Sequence, residues 1–240
     1  MNTITIKNLK LKVPSSEHAY SLKHIFLQKK NILSYNTILN IKSFSAKLGD
    51  KICVVGRNGQ GKTTFMKILA GIYSPSEGEI FISDEPTVVL ASGIGMEDDL
   101  PVIDCIKTAL LIRGLSDKKI IAAKVVEILK FCELEHDQFK LFKHLSTGFK
   151  SRLAFTIAIN EDPRILLLDE VLGGGDEFFM KKATIKLRQC IESSDTAIIS
   201  THGPDDIKEL CNKLIIIDKG QIVYDGDYEV GLKKYREDFG

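Results

Sequence analysis

The chain has 240 residues, of which 44% are hydrophobic and 27% are charged, so it can bury a core as one large domain or two small ones. Lys and Arg number 33 against 32 Asp and Glu, and this balance gives no reason to expect nucleic acid as the main partner. No apolar run approaches the roughly 18 residues of a membrane-spanning helix, so we expect a chain that does not cross a membrane by itself.

The cysteines indicate a reducing environment. They lie scattered in apolar segments without a C-x-x-C pair, at Cys53, Cys105, Cys132, Cys190 and Cys211. Such cysteines are typical of buried, reduced thiols in a cytosolic protein.

The first part of the chain has the alternating pattern of strands. Residues 3–13 alternate between apolar and polar and do not resemble a signal peptide. Residues 37–55 predict two further strands joined at Gly49 and Asp50, and residues 73–83 predict a turn followed by a strand. We therefore expect antiparallel strands near the start.

An amphipathic stretch, SLKHIFLQKK, lies within residues 14–36, between the first two strands. Its apolar residues fall at i, i+3 and i+4 on one helical face, and they are Leu22, Ile25 and Phe26. Lys23, Lys29 and Lys30 lie on the flank of this face. A basic amphipathic helix can lie at a membrane surface or dock a partner helix. A small satellite core with solvated lysines is the alternative.

The stretch GRNGQGKTT at positions 56–64 places three glycines directly before a helical pattern. Its spacing matches the P-loop, G-x-x-x-x-G-K-[ST], and the strand KICVV precedes it. The loop N–H groups and the helix N-terminus bind anions, Lys62 can reach the outer phosphates, and the Thr63 hydroxyl can ligate Mg²⁺. A glycine turn without a ligand is the alternative. The residues expected at the nucleotide are Gly56, Arg57, Asn58, Gly59, Gln60, Gly61, Lys62, Thr63 and Thr64.

Two helical regions follow. Residues 102–133 predict helix, and another helix begins near Ser146 and carries the apolar run RLAFTIAI. In LSTGFKSRL, Ser146 can cap the helix and Gly148 allows close backbone approach, which again suits an anion. A serine cap without any ligand is the alternative.

Residues 164–170 form an apolar run that ends in two acids, as in a central parallel strand. Ligands of open α/β sheets bind at the carboxyl ends of strands. Asp169 is suited to hold Mg²⁺, and Glu170 is suited to orient or deprotonate the attacking water. An ordinary loop start with two acids is the alternative.

The last part of the chain adds a histidine and a hairpin. His202 follows another apolar strand, 195–201, where it can bond a γ-phosphate oxygen or the attacking water, or be structural. Residues 213–227 predict a hairpin that turns at Lys219 and Gly220, and a helix ends the chain. Strands alternating with helices indicate an α/β domain with side subdomains.

These motifs, taken in order, resemble those of the ATP-binding cassette (ABC) ATPases across essentially the whole chain. The order is P-loop, LSTGF signature, ILLLDE strand, Asp176 and His202. The resemblance implies an α/β fold with a P-loop (RecA-like) parallel-sheet core, an antiparallel β subdomain and an α-helical subdomain at about 98–160. All of these would belong to one nucleotide-binding domain over residues 1–240.

The same resemblance implies roles for single residues. Thr63 and Asp169 would hold Mg²⁺ beside ATP, and Glu170 and His202 would be catalytic. A head-to-tail homodimer would bury each ATP between the P-loop of one subunit and the signature of the other. The signature residues are Ser146, Thr147 and Gly148, and Asp176 would form the D-loop.

A finer similarity points to the ATP-binding subunits of polysaccharide exporters, which move O-antigen, capsule or teichoic acid chains. LSTGFKSRLAF, DEVLGGGDEFFMKKA and SLKHIFLQKK are similar to segments of those proteins. Two of the usual family residues are absent. The Q-loop glutamine falls on Ala91, and the aromatic that stacks on adenine falls on Val13, with Tyr20 and Tyr35 as candidates to replace it.

This similarity implies an ATPase at the cytoplasmic face of the inner (plasma) membrane, held there by an integral-membrane permease and acting only indirectly on a lipid-linked polysaccharide. Exporters with an extra C-terminal carbohydrate-binding domain also exist, so the chain either lacks that domain or is a fragment. Two alternatives stay open: an ABC transporter ATPase for another solute, and an ATP-gated module without a transport role.

Overall fold

The computed structural model of the chain describes residues 1–14, 35–89, 96–160, 163–169 and 177–239. Its strands and helices are, in chain order, β1 (Asn2–Pro14), β2 (Tyr35–Lys47), β3 (Lys51–Val55), α1 (Lys62–Leu69), β4 (Glu77–Ile82), β5 (Thr87–Val89), α2 (Val102–Ile112), α3 (Lys118–Cys132), α4 (Thr147–Ile159), β6 (Ile165–Asp169), α5 (Glu177–Ser193), β7 (Thr196–Ser200), β8 (Lys213–Asp218), β9 (Gln221–Asp227) and α6 (Tyr228–Phe239). Short 3₁₀ turns lie at Phe142–His144 and Pro204–Ile207. The chain forms two compact units, Met1–Glu85 with Ser200–Gly240, and Pro86–Ile199.

The first unit contains an antiparallel sheet with the strand order β2-β1-β4. The alternation of β1 buries one face, so that Leu9 pairs with Ile41 and Leu11 with Leu39 in the core. In the same unit β3 runs parallel to β8, and β9 returns antiparallel to β8. The hairpin turns at Lys219 and Gly220, as the sequence predicts.

The second unit combines helices with the parallel pair β5 and β6. Its helical core gathers apolar side chains from α2, α3 and α4, among them Ile106, Leu110, Ile128 and Leu153. These helices form within the region predicted as the helical subdomain. Parallel strands, an antiparallel sheet and helices together confirm the α/β fold class.

The structure corrects the helix predicted over residues 102–133. Two helices lie there, because α2 ends at Ile112 and α3 begins only at Lys118. Gly114 has a φ of +86°, and the Asp117 side chain accepts hydrogen bonds from the N–H groups of Lys119 and Ile120. This cap starts a new helix and leaves no continuous one.

Two elements of the second unit were not predicted, β5 and α5. β5 has only three residues, too few for a pattern. In α5 the buried side chains recur at helical spacing, and they are Phe179, Ala183, Leu187, Cys190 and Ile191. That spacing is visible in the sequence, so α5 could have been predicted from it.

All five cysteines are buried and reduced, as expected from the sequence. Burial raises the pKa of the Cys53 thiol in β3 well above its usual range, and it raises those of Cys132 and Cys211 to about 12. These thiols are therefore protonated and unreactive at neutral pH. No helix in the described part of the chain is long and apolar enough to cross a membrane.

Candidate nucleotide-binding site

The P-loop connects a buried strand to a helix N-terminus in the first unit. The side chains of β3 from Ile52 to Val55 are buried, and α1 begins at Lys62. Gly61 occupies the N-cap with a φ of +108°, and no acidic residue lies in the first turn of α1. The first N–H groups and the partial positive charge of this helix end therefore suit an anion.

Two P-loop glycines are required by the fold itself. A Cβ atom on Gly56 would overlap the carbonyl oxygen of Ile217 in β8. Gly61 has a φ of +108°, which residues with a side chain rarely adopt, and a Cβ atom on it would lie 2.8 Å from Cδ2 of Leu39. Each glycine thus lets the loop lie directly against a neighbouring strand.

Lys62 folds back over the loop. Its side chain is only 5% exposed, and its Nζ donates hydrogen bonds to the carbonyl oxygens of Gly56 at 2.9 Å and Arg57 at 3.4 Å. These bonds hold the ammonium group against the first two residues of the loop. The next residue, Thr63, is exposed at the start of α1.

Gln60 anchors the loop to the β8–β9 turn. Its side-chain oxygen accepts a hydrogen bond from the Lys219 N–H at 2.6 Å, and its carbonyl accepts one from the Gly220 N–H at 3.0 Å. The Gly220 carbonyl in turn accepts a hydrogen bond from the Asn40 N–H at 2.8 Å. The sequence predicts the turn but not this contact, because nothing local connects Gln60 with Lys219.

The loop that carries His202 lies beside the start of the P-loop. The Thr201 N–H donates to the Val54 carbonyl at 3.3 Å, two residues before Gly56. The Gly203 N–H donates to Oγ1 of Thr201 at 3.0 Å, and His202 itself is exposed. The first unit thus brings two of the predicted motifs together.

Asp169 lies in the second unit at the carboxyl end of β6, whose preceding side chains are buried. Its Oδ1 atom is buried and has no hydrogen-bond partner among the residues that the structure describes. A buried carboxylate oxygen without a partner is costly unless it meets a cation or a donor. Asp169 therefore fits the role of a Mg²⁺ ligand.

The signature residues lie at the N-terminus of α4, also in the second unit. Oγ of Ser146 accepts a hydrogen bond from the Phe149 N–H at 3.3 Å and so caps the helix. Ser146, Thr147 and Gly148 are all exposed. A Cβ atom on Gly148 would meet nothing closer than the Ser146 hydroxyl at 3.8 Å, so this chain's own fold does not require a glycine there.

Several predicted residues lie outside the described residues, and their roles stay predictions. They are Glu170, Asp176, Ala91, Tyr20 and the SLKHIFLQKK segment.

Of the two candidates for adenine stacking, Tyr35 is described. It pairs with Pro14, whereas Val13 pairs with Asn36. Neighbouring residues of a strand point to opposite faces, and cross-strand partners share a face. Tyr35 is therefore on the face opposite Val13, which counts against it as a replacement.

The described geometry defines a class of protein, the α/β P-loop proteins that bind nucleoside phosphates. The sequence profile of the ABC transporter family matches residues 39–173. The chain belongs to the ABC transporter family and is one of its ATP-binding, ATP-hydrolysing cassettes.

Relatives support this assignment along at least 90% of the chain. The chain is 31% identical over 241 residues to the O-antigen export system ATP-binding protein RfbE of Yersinia enterocolitica, covering 96% of this chain and 100% of the relative. It is 31% identical over 223 residues to the teichoic acids export ATP-binding protein TagH of Bacillus anthracis, covering 90% of this chain but 40% of that longer protein.

A solved structure shows the same fold. It is the dimeric post-hydrolysis state of the ATP-binding cassette MJ0796 bound to ADP and Pi, with a TM-score of 0.71 and 19% identity. The similarity covers 94% of this chain and 98% of that one.

Proposed function

We propose that this chain is the ATPase subunit of an ABC exporter that moves a lipid-linked polysaccharide, such as O-antigen, across the membrane. The observation that carries the proposal is the 31% identity to an O-antigen export ATP-binding protein over that protein's full length. The motifs shared with such exporters, LSTGFKSRLAF and DEVLGGGDEFFMKKA, support it.

The P-loop binds the ATP phosphates. Its N–H groups and the N-terminus of α1 face the anion, and Lys62 supplies a side-chain cation that is already folded over the loop. Arg57, Asn58, Gly59, Gln60 and Thr64 complete the contact surface. Because the loop is held to β8 and the β8–β9 turn, these donors are in place before ATP arrives, which favours electrostatic stabilisation.

Hydrolysis transfers the γ-phosphoryl group to water. Glu170 accepts or orients the water proton, and His202 bonds the γ-phosphate or the water. When bound, Mg²⁺ would neutralise charge on the β- and γ-phosphates, and Thr63 and Asp169 are the residues that would hold it. The unpartnered Oδ1 of Asp169 supports that assignment.

Two copies of the chain would bind two ATP molecules between them. Ser146, Thr147 and Gly148 of one copy would contact the ATP on the P-loop of the other, with Asp176 at the interface. The exposure of the signature at a helix N-terminus, and the open space at Gly148, support a ligand that arrives from outside the chain. The dimer would act on an integral-membrane permease at the cytoplasmic face of the inner (plasma) membrane.

The test replaces Glu170 with Gln and examines both chemistry and export. The purified variant should bind ATP and lose about 10²–10⁴ in hydrolysis rate, the typical effect of losing a general base. In cells that lack the native gene, wild type should restore surface polysaccharide and E170Q should not. Wild-type turnover by E170Q would refute the catalytic assignment. Normal surface polysaccharide without the gene would refute the substrate class and favour another solute.

A further inference from the structure

The helix α6 presents a continuous stripe of side chains to the rest of the first unit. Tyr228, Leu232, Tyr235 and Phe239 recur at i, i+4, i+7 and i+11, which is one helical face. Tyr228 and Leu232 are buried. Over its 12 residues the helix is about 18 Å long, so its two ends can contact different parts of the unit.

The α6 helix contacts the His202 loop at two points. The buried Tyr228 hydroxyl donates a hydrogen bond to the carbonyl oxygen of Pro204. Nη2 of Arg236 lies 2.6 Å from Oδ1 of Asp205. Pro204 and Asp205 directly follow Gly203 and begin the 3₁₀ turn, so α6 holds the chain just beyond His202.

The last residue of α6 contacts the P-loop itself. The guanidinium of Arg57 lies 5.4 Å from the centroid of the Phe239 ring, a cation–π arrangement. Tyr235 stacks on the same ring, with centroids 5.7 Å apart and an angle of 29° between the planes. The stacked rings of Tyr235 and Phe239 thus restrict the position of the Arg57 guanidinium, which belongs to the second residue of the P-loop.

We propose that α6 is a positioning element for ATP hydrolysis, in which Phe239 sets Arg57 of the P-loop and Arg236, through Asp205, sets the loop of His202. This inference rests on the proposed function, because it concerns the same ATP site. The two contacts act at different stages. Arg57 adjoins the phosphate-binding N–H groups and affects ATP binding, whereas the His202 loop affects the hydrolytic step.

The Arg236–Asp205 pair would act on the geometry of the site more than on the stability of the fold. Arg236 and Asp205 are both 60% exposed, so their pair adds little to the stability of the fold. A small displacement of a catalytic group can nevertheless lower a rate substantially. Variants of these residues should therefore fold normally and show their effect in kinetics.

The first experiment measures the KM for ATP and kcat separately in variants of Phe239. Phe239→Leu should raise the KM for ATP about two- to fivefold, the equivalent of an exposed cation–π contact, with kcat near wild type. Phe239→Tyr keeps the ring and should restore the wild-type KM. An unchanged KM in Phe239→Leu would refute the role of the ring.

The second experiment tests the ion pair by exchange of its charges. Arg236→Ala should lower kcat about two- to fivefold, as expected for an exposed pair, with KM unchanged. The double variant Arg236→Asp with Asp205→Arg should recover most of kcat. Lys233→Ala removes an exposed cation of the same helix, paired with Glu237 at 3.9 Å, and serves as the control that should leave both constants unchanged.

The outcomes distinguish this inference from the proposed function. If wild type hydrolyses ATP and the Arg236 and Phe239 variants match it, α6 is only structural and this inference fails while the proposed function stands. If wild type hydrolyses no ATP, both fail. If the charge exchange does not recover kcat although the variant melts at the wild-type temperature, the Asp205 contact is not the cause.

Discussion

At the scale of single residues, the site depends on a few side chains whose surroundings fix their task. Lys62 is buried against the carbonyl oxygens of its own loop, so its ammonium group is held in position without a ligand. Asp169 presents a buried oxygen that lacks a partner among the described residues. The surroundings of Lys62 suit a polyanion, and those of Asp169 suit a cation.

Lys62→Ala should weaken ATP binding by about 10- to 100-fold, since hydrogen bonds to charged groups contribute about 1.5–3 kcal/mol each. The measurement is the rise in melting temperature with ATP. Lys67→Ala is the matched control, because Lys67 lies on the same helix and its Nζ contacts the ring of Tyr73 instead. If ATP stabilised Lys62→Ala as much as wild type, the P-loop would not be the binding site.

At the scale of elements, the structure shows how the loops are held. The P-loop is fastened by Gln60 to the β8–β9 turn and lies against β2 and β8. The basic amphipathic segment SLKHIFLQKK lies outside the described residues, and its role remains a prediction from the sequence. We propose that this segment lies at the membrane side near the pore, which its basic amphipathic pattern favours.

Replacement of Lys23, Lys29 and Lys30 by Glu should therefore impair export in cells, because the lysines would no longer attract a phosphate-bearing lipid-linked polymer. The ATPase activity of the purified protein should stay close to wild type. Surface polysaccharide and ATPase rate are measured on the same variant, with the three lysines changed to Arg as the control. Unaffected export, or loss of the ATPase as well, would indicate a structural segment.

At the scale of the whole molecule, we propose that the signature contacts an ATP molecule held by a second copy of the chain. The fold requires glycine at Gly56, where a Cβ atom would overlap the Ile217 carbonyl. It does not require glycine at Gly148, where the nearest atom would be 3.8 Å away. Gly148 lies at an exposed helix start, and the fold of its own chain does not require a glycine there. This position is therefore well suited to contact a second copy of the chain and its ATP.

Gly148→Ala should leave the melting temperature of the monomer equal to wild type or slightly higher, because alanine favours helix by about 1 kcal/mol over glycine. In the Glu170→Gln background it should weaken the ATP-dependent dimer, which light scattering after gel filtration measures. Gly56→Ala is the contrasting variant and should lower the melting temperature. An ATP-dependent dimer of wild-type strength in Gly148→Ala would contradict the sandwich arrangement.

The sequence by itself determined the features whose interactions are local. The P-loop between β3 and α1, the Ser146 cap, the buried strand that ends at Asp169 and the Lys219–Gly220 turn each depend on neighbours within a few residues, so their patterns are visible in the chain.

Only the tertiary structure decided which of these elements contact one another. Gln60 binds the N–H of Lys219, 159 residues away, and Arg57 rests on Phe239 at the far end of the chain. The break between α2 and α3 is, by contrast, a local feature that the sequence prediction missed, because Gly114 and the Asp117 cap both lie within it. Contacts between distant residues follow from strand pairing and packing, which local propensity does not encode, and they are what hold the P-loop in its binding geometry.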